Sequence, residues 1–194
     1  MKQSTRLKKL YNNPKNIFSA QELKQIWGIQ DILFKKTVQR MIKRELIFRV
    51  TRGIYSIQKD FDFFELANSL VIPSYISLNS ALVRSGVAFQ SLTSVSSIAK
   101  YTYTRKIKGI ELKYSKIKDK IFNDKRGIRT KQEYKIASPE RAICDAFYLG
   151  FLPNIDNPST LNWVRFKKVD QIYPKTVRKK VDQLIKTYDL QKTK

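Results

Sequence analysis

The amino-acid sequence predicts an α+β protein of two domains. Over residues 19–57, two short helical segments lead into a pair of short strands. Between residues 92 and 117, polar residues alternate with aromatic or branched ones, a period-two pattern that is typical of strands. The 194 residues are 42% hydrophobic, which is enough to bury a sizeable core. We place the first domain at residues 1–60 and the second at residues 61–194.

The N-terminal domain begins with a predicted helix over residues 2–11, which ends before Pro14. Ser19 and Glu22 have the spacing of a capping box, in which each side chain bonds to the backbone amide of the other residue. A second helix is therefore expected to start at Ser19. Gly28 permits a tight turn after that helix.

The next helix, predicted over residues 31–45, has one apolar face and one polar face. The apolar residues recur at helical spacing and are Phe34, Val38, Met41 and Ile42. At 100° per residue, the opposite side carries Lys36, Gln39, Arg40 and Lys43. Two strands, over residues 47–50 and 54–57, follow with a turn at Gly53. Together these elements predict a winged helix-turn-helix.

The C-terminal domain is predicted to mix helices with a sheet. Its helices are expected over residues 61–70, 78–85, 139–149 and 175–188. Ser77 and Ser138 precede two of them as N-caps, and Pro139 suits a first helical position. Two strands joined near Gly109 and a third over residues 134–136 complete the mixed α/β domain.

The chain is strongly basic. It carries 39 Lys and Arg against 16 Asp and Glu, a formal net charge of +23. Residues 1–60 hold 14 basic and 4 acidic side chains, and residues 100–131 hold 12 and 3. Such a field indicates a polyanionic partner, and nucleic acid is the commonest. A membrane is disfavoured, because no apolar run approaches the roughly 18 residues needed to span one.

The basic face of the helix over residues 31–45 is expected to enter the major groove of duplex DNA. Gln39 suits bidentate bonding to adenine, and Arg40 or Lys36 suits guanine. Thr37 could contact a phosphate or a thymine methyl group. Arg52, at the tip of the wing, could contact the minor groove or the DNA backbone. The predicted DNA-binding residues are Lys35, Lys36, Thr37, Gln39, Arg40, Lys43 and Arg52.

A second basic patch is predicted on the strands of the C-terminal domain. It comprises Arg105, Lys106, Lys108, Lys113 and Lys116. It could contact flanking DNA, RNA or an acidic protein surface, or it could be a solvated basic surface alone. The neighbouring Tyr101, Tyr103 and Tyr114 suit either base stacking or a sheet core.

The composition argues against an enzyme. The chain has no histidine and one cysteine, which removes the usual general base and the usual zinc ligands. No glycine-rich phosphate loop occurs. We therefore expect no catalytic residues, no metal and no cofactor, and a small nuclease is the least favoured alternative. Cys144 is expected to be a packing residue, since its neighbours are apolar.

Several short motifs follow the predicted wing in a characteristic order. They are Tyr75-Ile76-Ser77, Ala81-Leu82 and Gly86, and then Ser138-Pro139-Glu140-Arg141-Ala142 ahead of an apolar helix. In this order, over residues 5–190, the chain resembles the AbiEi-type antitoxins and related transcriptional regulators of bacterial type IV toxin–antitoxin and abortive-infection systems.

The resemblance implies a DNA-binding repressor. Its N-terminal domain would bind inverted repeats in its own promoter and repress the operon. Its C-terminal, antitoxin-like domain would counteract a nucleotidyltransferase-like toxin without forming a stable complex. The alternative is a nucleic-acid-binding accessory protein or a stand-alone regulator without a toxin partner. We expect a cytoplasmic bacterial protein, because no secretory signal or paired cysteines are seen.

Overall fold

The computed structural model describes residues 2–131 and 133–192. Helices and strands both contribute, so the predicted α+β class is confirmed. The described residues divide into two compact units. The first unit comprises the residues up to Ile72 together with Glu133 and Tyr134, and the second comprises Pro73–Lys131 and the residues from Lys135 onward.

The first unit combines helices with an antiparallel sheet. Its helices are α1 (Gln3–Tyr11), α2 (Ala20–Trp27), α3 (Asp31–Lys43) and α4 (Phe63–Leu70). Its strands are β1 (Ile17–Ser19), β2 (Phe48–Thr51) and β3 (Ile54–Ser56), in the order β1–β3–β2. The predicted capping box at the start of α2 is confirmed. Ser19 Oγ accepts from Glu22 N at 3.1 Å, and Glu22 Oε2 accepts from Ser19 N at 2.8 Å.

The core of the first unit is apolar and aromatic. It includes Leu10, Phe18, Leu23, Trp27, Phe34, Val38, Met41, Ile47 and Tyr55. Helix α3 supplies Phe34, Val38 and Met41 to this core, as its sequence pattern predicts, and Ile42 packs against it from the edge. Burial of this stripe fixes which side of α3 remains outside.

The first unit extends beyond residue 60, where the sequence predicts a boundary. Helix α4 belongs to it, because the buried Glu65 Oε1 accepts hydrogen bonds from Asn16 N and Ile17 N, each at 2.7 Å. The Phe64 ring also meets the Tyr134 ring edge-on, with centroids 5.7 Å apart. These contacts join residues 48 or more positions apart, so the local composition around residue 60 does not reveal them.

The second unit is built around a mixed sheet. Its strands are β4 (Ser74–Ile76), β5 (Ser94–Ala99), β6 (Tyr103–Ile107), β7 (Ile110–Lys116), β8 (Ile128–Thr130) and β9 (Lys135–Ala137). Its helices are α5 (Leu78–Arg84), α6 (Asp119–Asn123), α7 (Pro139–Tyr148), α8 (Trp163–Val169) and α9 (Lys175–Lys192), with short 3-10 turns at Pro158–Thr160 and Asp170–Ile172. The strand order is β6–β7–β5–β4–β9–β8, with β5–β7 and β4–β9 parallel and the other pairs antiparallel.

Most predicted elements of the second unit are present, with one informative difference. The β6–β7 hairpin turns at Lys108 and Gly109, as predicted. Ser138 Oγ accepts from Arg141 N at 3.4 Å and caps α7. Ser77 precedes α5 but does not cap it, because its hydroxyl donates to Asp145 Oδ2 instead, at 2.7 Å. The hydroxyl is thus used in a buried tertiary contact.

Candidate nucleic-acid interface

Helix α3 has one buried side and one polar side open to solvent. The exposed polar side carries five of the predicted DNA-binding residues, namely Lys35, Lys36, Gln39, Arg40 and Lys43. Arg40 Nε donates to the Lys36 carbonyl oxygen at 3.3 Å, which directs part of the guanidinium back along the helix. The exposed side chains form one continuous face because the opposite side is fixed in the core.

Thr37 does not belong to this face, and its predicted contact with DNA is corrected. The residue is only 1% exposed, because it lies beside Val38 on the buried side of α3. Its hydroxyl is buried without a hydrogen-bond partner among the described residues. A buried hydroxyl cannot reach a phosphate or a base, so Thr37 is a core residue.

Two apolar residues lie exposed at the start of the same helix. Ile32 is 73% exposed and Leu33 is 48% exposed, next to the cationic side chains of Lys35 and Lys36. Sequence reasoning missed both. At 100° per residue Ile32 lies 200° from the buried Phe34, so the helical pattern itself carried the signal. Apolar side chains at this position suit contact with thymine methyl groups.

The β2–β3 hairpin brings further cations to the first unit. Arg52 is exposed at the turn, and the Arg49 guanidinium lies over the Tyr55 ring, 5.8 Å from its centroid. A groove of about 350 Å³ has Arg49, Lys35 and Gln39 among its lining residues. The hairpin and α3 therefore share one groove within this unit, which is lined by cations together with apolar and aromatic side chains and Asp31.

The second predicted patch does not form a single surface. Arg105 pairs with Leu112 and Lys106 pairs with Glu111 in the β6–β7 register. Adjacent residues of a strand point to opposite faces, so Arg105 and Lys106 lie on different faces. Lys116 shares the face of Arg105, Lys113 shares that of Lys106, and Lys108 lies at the turn. The Lys113 ammonium also pairs with Glu111 at 2.9 Å. The five cations are thus divided between the two faces and the end of one hairpin.

A buried ionic network, which sequence reasoning missed, occupies the interior of the second unit. Arg141 and Asp145, one turn apart on α7, are both 0% exposed. Asp145 accepts from three hydroxyl groups: Tyr173 at 2.6 Å, Ser77 at 2.7 Å and Tyr75 at 3.1 Å. Arg141 Nε lies 3.6 Å from Asp145 Oδ1. Burial raises the pKa of Asp145, while the Arg141 charge and the three hydroxyl donors oppose that rise.

Arg141 also organises the backbone around it. Its guanidinium donates to the carbonyl oxygens of Ile121 at 2.7 Å, Arg126 at 3.1 Å and Asp124 at 3.4 Å. The network therefore holds α6 and the chain after it against α7. An Arg and an Asp spaced i, i+4 inside the apolar helix RAICDAFYL are the sequence signal that could have revealed it.

Cys144 lies beside this network and packs in the interior, as predicted. It is 0% exposed, and burial raises the pKa of its thiol well above the ordinary value. A buried, protonated thiol is a poor nucleophile and a poor metal ligand. Over the described residues, no group of three or more His, Cys, Asp or Glu side chains is arranged to hold a metal ion.

No protein-family model matches this sequence, and no curated protein matches it either. Within residues 2–131 and 133–192, the structure contains no helix with the length and apolar character that crossing a membrane requires. The exposed face of α3 is the largest group of predicted binding residues that the fold brings together.

Proposed function

We propose that this protein is a sequence-specific DNA-binding repressor whose first unit is a winged helix-turn-helix. The observation that carries the proposal is the division of α3 into a buried apolar side and an exposed side with four cations and Gln39. In this reading α2 and the turn at Gly28 position α3 as the recognition helix, and the β2–β3 hairpin is the wing.

The roles of the exposed residues follow from their chemistry. Gln39 and Arg40 present the side-chain types that bond in pairs to adenine and guanine edges. Lys35, Lys36 and Lys43 neutralise phosphates, and this sequence-independent attraction sets register and much of the affinity. Arg52, at the tip of the wing, reaches the backbone or the minor groove. Double-stranded operator DNA with inverted repeats is the proposed partner, bound by cationic and amide side chains without a cofactor.

We further propose that the repressor is the antitoxin of a type IV toxin–antitoxin system in the bacterial cytoplasm. It would repress its own operon and counteract a nucleotidyltransferase-like toxin without forming a stable complex. Support comes from the motif order and from one structural relation. The segment Tyr75-Ile76-Ser77 and the segment that contains Arg141, which carry the resemblance, meet in the network around Asp145. The alternative is a stand-alone regulator or nucleic-acid-binding accessory protein without a toxin partner.

Selection from a randomised duplex pool, followed by titration of the selected and scrambled sequences, tests the DNA-binding proposal. Gln39→Ala/Arg40→Ala should lose about 1–3 kcal/mol per specific base contact and lose preference for the selected sequence. Gln58→Ala/Lys59→Ala is the matched control, because it removes one amide and one cation from exposed positions of the same unit. Undiminished discrimination by the Gln39/Arg40 variant would refute the recognition-helix assignment.

Co-expression tests the antitoxin proposal. The protein should restore growth to cells that express the nucleotidyltransferase-like reading frame of its own operon, and Gln39→Ala/Arg40→Ala should still restore it. If no such reading frame lies beside the gene, or if growth is not restored, the stand-alone regulator is the correct alternative. Operator binding in the same strain, followed with a promoter fusion, keeps the two outcomes separate.

A further inference from the structure

A cavity in the second unit is lined by cations that the proposed DNA-binding role leaves unused. It has a volume of about 350 Å³ and lies between α6 and the start of α9. The cationic lining residues are Lys118, Lys120, Arg126 and Arg178, and an apolar wall is formed by Ile121, Ile172 and Pro174. Concave sites of this size suit small molecules.

The charges of this basic cavity are unbalanced. Among its described lining residues, Asp124 is the one carboxylate. Asp124 is already engaged, because Arg126 Nη2 donates to its Oδ2 at 2.7 Å and Arg126 Nε to its Oδ1 at 3.0 Å. Hydrogen bonding from the Arg126 side chain lowers the pKa of Asp124, which keeps this pair ionised. The charges of Lys118, Lys120 and Arg178 therefore lack a carboxylate partner in the described lining.

Arg178 supplies the donor geometry that suits an oxyanion. Its side chain lines the cavity, but its Nε is buried, so contact with a ligand would be made through the terminal nitrogens of the guanidinium. A guanidinium offers a planar fork of donors that matches the oxygens of a phosphate.

Both walls of the basic cavity are held in place from behind. Arg141 donates to the carbonyl oxygens of Ile121, Asp124 and Arg126, which fixes the wall that carries Lys118 and Lys120. The opposite wall is fixed by Tyr173, whose hydroxyl donates to Asp145. The buried network thus fixes the backbone that carries the cations, and a pre-organised backbone reduces the entropy lost when a ligand binds.

We propose that the basic cavity binds the diphosphate group of a small molecule. Three unbalanced cations match a diphosphate, which carries several negative charges over two adjacent phosphate groups. Arg178 would contribute a forked pair of hydrogen bonds, and the flexible ammonium groups of Lys118 and Lys120 would act as point charges at the rim. The apolar wall leaves room for an attached organic group. This site is separate from the proposed recognition helix and does not depend on DNA binding.

Calorimetric titration of the full chain with inorganic pyrophosphate tests the proposal. An ionic strength of about 0.3 M is chosen, because exposed charges more than roughly 6 Å apart are then largely screened. We expect one site per chain. Lys120→Ala and Arg178→Ala should each weaken binding about tenfold or more. Lys179→Ala is the matched control, since Lys179 is an exposed cation next to Arg178 that does not line the cavity, and it should change binding less than about twofold.

Three further measurements decide between outcomes. Arg178→Lys keeps the charge but loses the fork, so it should bind pyrophosphate with intermediate affinity. Adenosine diphosphate should compete with pyrophosphate, which extends the site to an organic diphosphate. Thermal melting checks that each variant is folded. If Arg178→Ala does not fold, Lys118→Ala provides a further test, because Lys118 is exposed. Absence of pyrophosphate binding, or equal loss in Lys179→Ala, would overturn the proposal. Duplex DNA binding that Lys120→Ala weakens, with no pyrophosphate binding, would also overturn it.

Discussion

Helices α3 and α7 differ in the exposure of their charged side chains. In α3, the side chains of Asp31, Lys35, Lys36, Arg40 and Lys43 are all exposed. In α7, Glu140, Arg141 and Asp145 are all 0% exposed. An exposed charge contributes little to stability and remains available to a ligand, whereas a buried one is tied to its partners. The comparison separates the proposed binding surface from an internal framework within one chain.

The largest expected effect follows from removing the centre of that framework. Asp145→Ala should lower the free energy of unfolding of the second unit by about 3–5 kcal/mol, because it leaves Arg141 buried without its counter-charge. The chain has two tryptophans, so Trp27→Phe leaves Trp163 as the fluorescence reporter of this unit during urea denaturation.

Two further variants control the Asp145 experiment. Asp119→Ala removes an exposed carboxylate of the same unit and should change stability by less than about 0.5 kcal/mol. Asp145→Ala combined with Arg141→Met should lose less than the sum of the single changes, since no buried charge is left unpaired. A loss below about 1 kcal/mol for Asp145→Ala would show that the buried pair is not a framework.

A smaller effect is expected at Gly127, which packs beside the side chain of Arg141. Gly127 has φ +72°, and a Cβ placed on it would lie 2.8 Å from Arg141 Cβ. Gly127→Ala should cost about 1–2 kcal/mol for the left-handed backbone and a further 1–3 kcal/mol, roughly, for the clash. Gly86→Ala has nearly the same φ, +73°, with open space around the new methyl group, so it isolates the first cost. Equal melting temperatures for the two variants would contradict this close approach.

Among the described residues of the first unit, Glu65 is the one buried carboxylate, and it allows the same test of a buried charge there. Glu65→Ala should destabilise this unit by about 1–3 kcal/mol, because Asn16 N and Ile17 N lose their acceptor. Glu65→Gln keeps an acceptor oxygen and should be neutral or stabilising near neutral pH. Trp27 fluorescence in a Trp163→Phe background reports the unfolding of this unit.

The pH dependence of the Glu65→Gln effect has a definite sign. Burial raises the pKa of Glu65 although two backbone hydrogen bonds oppose the rise, so the folded state binds the proton more tightly than the unfolded state. This tighter proton binding stabilises the folded state fully below pH about 4.5, and the stabilisation is lost as pH rises through the higher pKa of the folded state. The advantage of Glu65→Gln over the native residue should therefore shrink between pH 7.5 and pH 5, roughly. An advantage that grows on acidification would show a lowered pKa.

The smallest change in stability is expected on α3. Lys35→Ala, Lys36→Ala, Arg40→Ala and Lys43→Ala should each alter the free energy of unfolding by less than about 0.5 kcal/mol. Each loss of a phosphate contact should instead lower the slope of log affinity against log salt by about 0.9. Anisotropy titrations of duplex DNA at several salt concentrations measure that slope. If Lys36→Ala instead melts several degrees lower than the native protein, Lys36 contributes to the stability of the fold, as the buried charges of α7 do.

Local patterns predicted local structure well. The Ser19–Glu22 capping box, the apolar stripe of α3 and the β6–β7 hairpin all arise from residues a few positions apart, and all are present. The prediction that Thr37 is exposed was wrong, because a polar residue beside an apolar stripe can be either buried or exposed. The helical period alone does not decide which.

Contacts between distant residues were the part that the sequence did not reveal. Ser77 looked like a helix cap, and only the fold brings it to Asp145, 68 positions away. The prediction that the second basic patch forms one surface was wrong for a related reason. Counting cations along β6 and β7 ignores the alternation of faces, which separates Arg105 from Lys106.

The course of the chain has a consequence for any attempt to dissect the protein. Glu133 and Tyr134 belong to the first unit, although the residues before and after them, in β8 and β9, belong to the second. A fragment cut after Ile72 would lack the Tyr134 ring that meets Phe64. The complementary fragment would retain that aromatic residue without its neighbour. A single cut after Ile72 would therefore leave the first unit incomplete.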